Sequence, residues 1–415
     1  MITSSAQNTQ ITQNATETPP DASQQMAHGQ YFQTGRVLTI AVGHTLHDTF
    51  TGFLPPLLPV LITSLSLSKT EAGLLRVFLQ GPSLLQPVIG HLADRVNLRF
   101  LGILAPAVTA IVMSLVGIAP DYTALILLLT VAGLSSANFH AILSVAAGRL
   151  SGHRLGRGMS FWMFGAELGR ALGPIVIVSA IRLLGVARTP WLMVAGWLGS
   201  VLLYVRLRDV PFQPSRQQQD LSWQLAMRGM GRFMVPLLGI IVARAFLFQA
   251  LTTYLPTFLS EEGVDLWLAG TSLTVLEAAG TLGALAGGSL SDRLGRRPVL
   301  AASLLTSPLV MLLFLATDSW IRFLALLPLG LTAFSIAPTL MALTQESFPQ
   351  NPSLANGIYM ALTFVTGSVM AVVAGALGDL FGLRWTFAAS AVVALLGVPF
   401  VWFLPSRGVG LESEA

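Results

Sequence analysis

The chain has 415 residues, of which 53% are hydrophobic and 10% charged; 23 Lys and Arg stand against 19 Asp and Glu, for a formal net charge of +4. A soluble domain carries about 25% charged residues, and a globule of this length cannot hide so much apolar surface. A water-soluble enzyme and a nucleic-acid binder are thereby excluded. Cysteine is absent, so there is no disulfide framework, thiolate metal site or cysteine nucleophile.

Residues 1–35 are polar, contain Pro19-Pro20 and lack a basic segment followed by an apolar core. They read as a disordered tail, not a cleavable signal. From residue 36, apolar runs of the length a bilayer requires, about 20 residues, follow one another. Phe100–Pro120, Pro298–Thr317, Phe323–Gln345 and Trp385–Leu404 contain no charged residue. Twelve spans are expected, near 37–63, 71–93, 99–119, 122–148, 158–181, 190–206, 233–259, 267–290, 298–317, 321–345, 354–379 and 385–404. The polar stretch 207–231, with Pro211, Pro214 and Gln217-Gln218-Gln219, reads as a linker between six-span halves at 36–206 and 232–405, and 406–415 as a second tail.

Span one carries His44, His47 and Asp48, at i, i+3 and i+4 on one arc of a helix. Two imidazoles and a carboxylate in a low-dielectric site form a proton-handling candidate, since histidine changes charge near neutral pH. A polar knot between helices is the structural alternative. The same donors suit a metal ion, but no further ligand cluster is evident, and no metal is expected. Pro55, Pro56 and Pro59 should bend or break the far part of this span. After span two comes Gly90-His-Leu-Ala-Asp94-Arg95. Span four holds Asn138 and His140.

Span five reads Gly165-Ala-Glu167-Leu-Gly169-Arg170-Ala-Leu-Gly173-Pro174. Glycines at every fourth position make a smooth stripe for close helix packing, and Pro174 removes a backbone donor. Packing accounts for the glycines but not for Glu167 and Arg170, which lie off the stripe and are spaced to pair. An ionisable residue at membrane depth is a functional candidate by default; a static pair that orients the helix is the alternative. Arg244 and Gln249 in span seven and Glu277 in span eight are further polar positions at depth. Either Glu277 neutralises Arg244, or Arg244 holds an anionic group of a substrate.

The loop after span eight reads Gly288-Ser-Leu-Ser-Asp292-Arg293-Leu-Gly295-Arg296-Arg297, and repeats Gly90–Arg95 at an offset of 198 residues. Such repeats mark secondary transporters. Loops after even-numbered spans carry Arg95, Arg99, Arg149, Arg154, Arg157, Arg206, Arg208, Arg216, Arg228, Arg232, Arg293, Arg296 and Arg297, whereas the opposite side holds Lys69, Arg76, Arg182, Arg188, Arg322 and Arg384. The positive-inside rule then places both termini in the cytoplasm.

The paired loops resemble the signature loop of the major facilitator superfamily, with Asn97 and Leu98 departing from it in the first copy. The resemblance covers residues 36–405. The glycine–proline run of span five is similar to that of the drug–proton antiporters. His44-x-x-His47-Asp48, Ser83-Leu-Leu-Gln86-Pro87 and Gln345-Glu346-x-x-Pro349 resemble the fosmidomycin resistance protein branch, which usually has Asn where His47 stands. The resemblance implies an all-α membrane protein with twelve transmembrane helices in two pseudo-symmetric six-helix bundles, and a cavity lined by spans one, four, five, seven and eight.

The expected function is proton-coupled efflux of a drug-like or metabolite small molecule by antiport. Asp48, Glu167, Arg170, His44 and His47 would handle protons. Asn138, His140, Arg244, Gln249 and Glu277 would meet substrate, and Gly90, Asp94, Arg95, Gly288, Asp292, Arg293, Gly295 and Arg296 would latch the halves. Proton-coupled uptake is the alternative. No Walker-type loop is present, so the proton gradient, with no cofactor, is the expected drive. A membrane-embedded enzyme is remote, because neither His-Glu-x-x-His nor Gly-x-Ser-x-Gly occurs. The resemblance also implies a monomer in a bacterial inner membrane.

Overall fold

Long stretches without charge leave the backbone no partner in a bilayer but itself, and helices satisfy that demand within one segment. Among the described residues, which in this computed structural model are 31–93, 96–210, 223–318, 320–347 and 352–404, all regular structure is helical. Most of both expected tails, much of the linker, and Asp94, Arg95 and Pro349 lie outside the described residues. Among the described residues, eleven helices are long and apolar enough to cross a membrane, the first counted as Thr34–Leu65.

The remaining crossing is span two. It is not continuous: a helix at Lys69–Gln80 passes through a 3-10 turn at Gly81–Leu85 into a helix at Gln86–Ala93. Pro82 lies in that turn, has no amide hydrogen and crowds the preceding carbonyls, which weakens the regular helix where the break occurs. Span one is likewise divided, into Thr34–Thr51 and Leu54–Leu65, just before Pro55 and Pro56. Span seven, Trp223–Glu261, begins inside the stretch expected as linker. Side chains cap several helix starts, satisfying amides that have no partner within the helix. Ser68 and Glu71 form a reciprocal capping box on span two, and Asp121 accepts from the Ala124 amide on span four.

Twelve crossings bring both chain ends to one end of the bundle, here the terminal end; the other is the distal end. Each half has its own apolar core toward the terminal end. Ile40, Ile103, Phe139, Leu143 and Leu203 pack in the first half, and Leu237, Ile240, Leu300, Leu340 and Tyr359 in the second. A larger cluster crosses between the halves and includes Leu57, Leu61, Leu75 and Val178 of the first with Leu251, Tyr254, Leu273 and Phe387 of the second.

Polar contacts between the halves gather at the same distal end. The Asp379 carboxylate, near the end of span eleven (Pro352–Phe381), accepts from the Lys69 amide at 2.8 Å, the Thr70 amide at 2.9 Å and the Thr70 hydroxyl at 2.6 Å. Tyr254 donates to the Lys69 carbonyl, Lys69 Nζ pairs with Glu261 at 2.9 Å, and Trp267 Nε1 donates to Ser179. Apolar burial and polar contacts therefore agree that the halves are closed on each other distally.

Candidate transport site

The glycine stripe of span five (Leu155–Leu184) lies directly on span one. A Cβ at Gly165 would sit 2.5 Å from the Ala41 carbonyl oxygen, and one at Gly173 2.6 Å from that of Thr49. One at Gly169 would meet the Thr45 carbonyl and come within 2.9 Å of Asp48 Cβ. The acceptors at 41, 45 and 49 repeat with the glycines' own period, so the two helices run in register with backbone against backbone. Pro174 sits inside this helix without interrupting it.

That contact presses the polar arc of span one toward the interior. His47 Nδ1 is 2.8 Å from one Asp48 oxygen, and His44 Nε2 is 3.5 Å from the other. His47 Nε2 lies 3.2 Å from Thr109 Oγ1, which donates to Ser135, which in turn donates to the Ala105 carbonyl. The His47 ring stacks on Phe139, and His44 packs against Trp162. His140, expected at a separate substrate position, joins this cluster from span four: its Nε2 is 3.1 Å from His44 Nε2 and 3.9 Å from Asp48 Oδ1. His44, His47 and Asp48 are buried, whereas the His140 side chain keeps 28% exposure.

Glu167 and Arg170 form an ion pair, and Arg170 remains 42% exposed. Arg170 also lies within Coulombic range of Asp48 and of Glu277. The charges that reach Glu277 come from the other half: Arg170, Arg76, Glu167 and Asp48. Glu277 thus faces the first half rather than Arg244, which forms no ion pair among the described residues.

Arg244 is buried with its guanidinium over the Phe248 ring, and its Nε and Nη1 lack hydrogen-bond partners. Gln249 is buried with Oε1 unpartnered. Asn138 donates to the Leu134 carbonyl of its own helix.

Arg76 was not among the expected site residues, having been read as a charge near a span end. It sits in the second turn of the Lys69–Gln80 helix, donates to the Thr252 carbonyl of span seven and lies within Coulombic range of Glu277 and Arg170. The signal was available: a charge inside the expected range 71–93, at a depth where charge is costly.

With the halves and the interior charges placed, the comparisons bear on the chain as a whole. The sequence profile of the Major Facilitator Superfamily matches residues 40–351 and 268–414. The chain belongs to the major facilitator superfamily. It is a multi-pass membrane transporter, not an enzyme.

It is 25% identical over 376 residues to the fosmidomycin resistance protein of Escherichia coli, covering 89% of this chain and 92% of that one. It is 26% identical over 389 residues to the uncharacterized transporter YfnC of Bacillus subtilis, again covering 89% and 92%. Among solved structures it resembles a bacterial homolog of the human lysosomal transporter Spinster, at a TM-score of 0.74 and 16% identity over 91% of this chain and 97% of that one. That likeness shows the fold.

In this superfamily member the two signature loops are built differently. In the second, Gly295 has φ +96°, a conformation that favours glycine. The turn it makes starts span nine and lets Arg296 reach Asp292 at 2.7 Å and Glu346, at the end of span ten, at 2.5 Å. Gly288 has open space around it, and Arg293 lies in the last turn of span eight. In the first copy Asn97 takes over, its side chain accepting from the Arg99 amide at 3.2 Å. Gly90, like Gly288, meets nothing a Cβ would touch.

Proposed function

We propose that this transporter exports a small drug-like or metabolite molecule in exchange for protons, with both termini in the cytoplasm. The observation that carries the reading is the Glu167–Arg170 pair at membrane depth, with Arg170 within range of two further carboxylates, Asp48 and Glu277. An ionisable group at such depth stays charged only when paired or wet. Arg170 has alternative counter-ions within reach, and Glu167 has one nearby cation to lose. When the halves rock, Arg170 leaves Glu167 for Asp48 or Glu277, and a proton replaces it on Glu167. Asp48, beside its imidazoles, is the second proton-exchanging carboxylate of the scheme and one that Arg170 can approach.

Substrate would enter between the halves, where Arg244, Gln249, Glu277 and Asn138 are the proposed contacts. The relation to a fosmidomycin resistance protein, the arginine-rich loops at the terminal end and the glycine–proline run of span five support export from the cytoplasm. The protein is proposed to act as a monomer in a bacterial inner membrane, driven by the proton gradient without a cofactor.

The test is Glu167→Gln in sealed vesicles, which preserves shape and removes the charge change. Gradient-driven accumulation should be lost while substrate exchange without a gradient persists. Arg170→Ala should be more damaging, because it strands a carboxylate at depth. A folded Glu167→Gln protein that still transports against a gradient would defeat this coupling scheme. Accumulation in the direction of proton entry would establish uptake instead.

A further inference from the structure

Three donor groups meet at one point inside the first half, contributed by two helices far apart in sequence. His44 and Asp48 are one helical turn apart on span one, and His140 reaches them from span four. One oxygen and two ring nitrogens of this trio all lie within 4.8 Å of one another. The separations are 3.1 Å between the two Nε2 atoms, 3.5 Å from His44 Nε2 to Asp48 Oδ2 and 3.9 Å from His140 Nε2 to Asp48 Oδ1. A tetrahedral zinc ion with ligands at about 2.0–2.1 Å holds its donor atoms about 3.3–3.4 Å apart. The two imidazole nitrogens thus stand near the edge length of such a tetrahedron, with one Asp48 oxygen beside each of them.

Hydrogen bonds fix which atoms point at the centre. His140 Nδ1 lies 2.9 Å from the Ser136 backbone carbonyl, which only accepts, so the proton sits on Nδ1 and Nε2 presents its lone pair. His47 Nδ1 holds the Asp48 carboxylate at 2.8 Å and is itself held by Thr109 through Nε2. This is the outer-shell support that orients metal ligands. His44 Nδ1 is buried with no hydrogen-bond partner, and the ring is seated against Trp162 with its Nε2 turned to His140 and Asp48. Three protein ligands leave the fourth position free, and the His140 side chain, 28% exposed, is the least enclosed of the three.

We propose that His44, Asp48 and His140 form a binding site for a borderline divalent transition cation such as Zn2+, with its fourth position completed by water or by an oxygen donor from the cavity. Two imidazoles and one carboxylate select such ions over Mg2+ or Ca2+, which take oxygen ligands. The objection from sequence, that no further ligand accompanies the pair on span one, is met by His140. The proposal stands whether or not protons drive transport.

The test uses the purified full chain in detergent, without a polyhistidine tag, titrated with Co2+ and then Zn2+. The expected result is one saturable Co2+ site per chain with the intense visible absorption of tetrahedral cobalt, abolished by Zn2+ and untouched by excess Mg2+. Zn2+ should also raise the unfolding temperature. His140→Ala, at the most exposed of the three ligands, should lose the spectrum and the thermal shift. His47→Ala, which removes the support of the carboxylate, should weaken binding about 10–100-fold. The wild-type titration decides by itself if a variant fails to fold: absence of a saturable tetrahedral Co2+ spectrum overturns the proposal. So does a folded His140→Ala protein with wild-type affinity.

Discussion

At Gly169 the side chain that is missing matters more than any that is present. A Cβ there meets the Thr45 carbonyl and Asp48 Cβ, so a larger residue must push span one away from span five. Overpacking of this kind costs about 1–3 kcal/mol, and here it also shifts Asp48 and His44 relative to His140 of span four. Gly169→Leu is expected to lower thermal stability by that amount and to weaken transport together with it. Gly35→Ala, where a Cβ meets nothing within 4 Å, should leave stability unchanged or slightly improved. Equal stability for the two variants would show that the helices separate without cost.

The stripe was legible from spacing alone, because glycines every four residues on one helix have a single packing consequence. The Asp48 cluster was legible only in part. His44, His47 and Asp48 share an arc by local geometry, but His140 lies 96 residues from His44, and no local rule brings span four to that arc. For Glu277 the sequence offers Arg244 of its own half as one possible counter-ion, whereas the closed distal interface presents it to Arg76 and Arg170.

Between elements, an acid from one half serving as cap for a helix of the other is the plainest gate in the molecule. Asp379 accepts from the first two amides of the Lys69–Gln80 helix, which have no partner inside that helix and lie at the positive end of its dipole. Such an anion contributes about 0.3–1 kcal/mol by the dipole, and charge-assisted bonds add to that. The contact exists only while the distal end is shut, so it biases the equilibrium without touching the transport site. Asp379→Asn keeps the shape but removes the charge. It should open the distal end about fivefold more often, the change that about 1 kcal/mol produces. Labelling of a single cysteine placed at Glu261 by a membrane-impermeant reagent reads that fraction. An unchanged labelling rate would assign closure to the apolar cluster of Leu57, Leu251 and Tyr254 rather than to the cap. Neither Asp379 nor the break at Gly81–Leu85 stood out in the sequence: a carboxylate at a span end looks like any solvated loop charge, and Gly-Pro pairs inside a hydrophobic span do not by themselves say whether the helix bends or breaks.

For the molecule as a whole, we propose from the duplicated loops that the terminal end closes on the same principle as the distal Asp379 contact, an acid at a helix end meeting the start of a helix across the halves. Here Asp292 is turned to Arg296 and its side chain is 65% exposed, while the distal contacts are made. The pseudo-symmetry predicts that in the opposite state Asp292 moves to the amides of residues 158–160 as Asp379 leaves Lys69 and Thr70. The chain has no cysteine, so pairs can be introduced without background. Lys69→Cys with Glu261→Cys marks the distal end, where the native side chains are 2.9 Å apart. Met159→Cys with Ser289→Cys marks the terminal end. A short thiol cross-linker should capture the distal pair readily in detergent and the terminal pair only when substrate or an imposed gradient shifts the halves. Locking either pair should stop transport, and in a protein bearing all four cysteines each cross-link should suppress the other. Both cross-links forming in one molecule would mean that the two ends close independently, and the rocking of two six-helix halves about a central site would have to be given up.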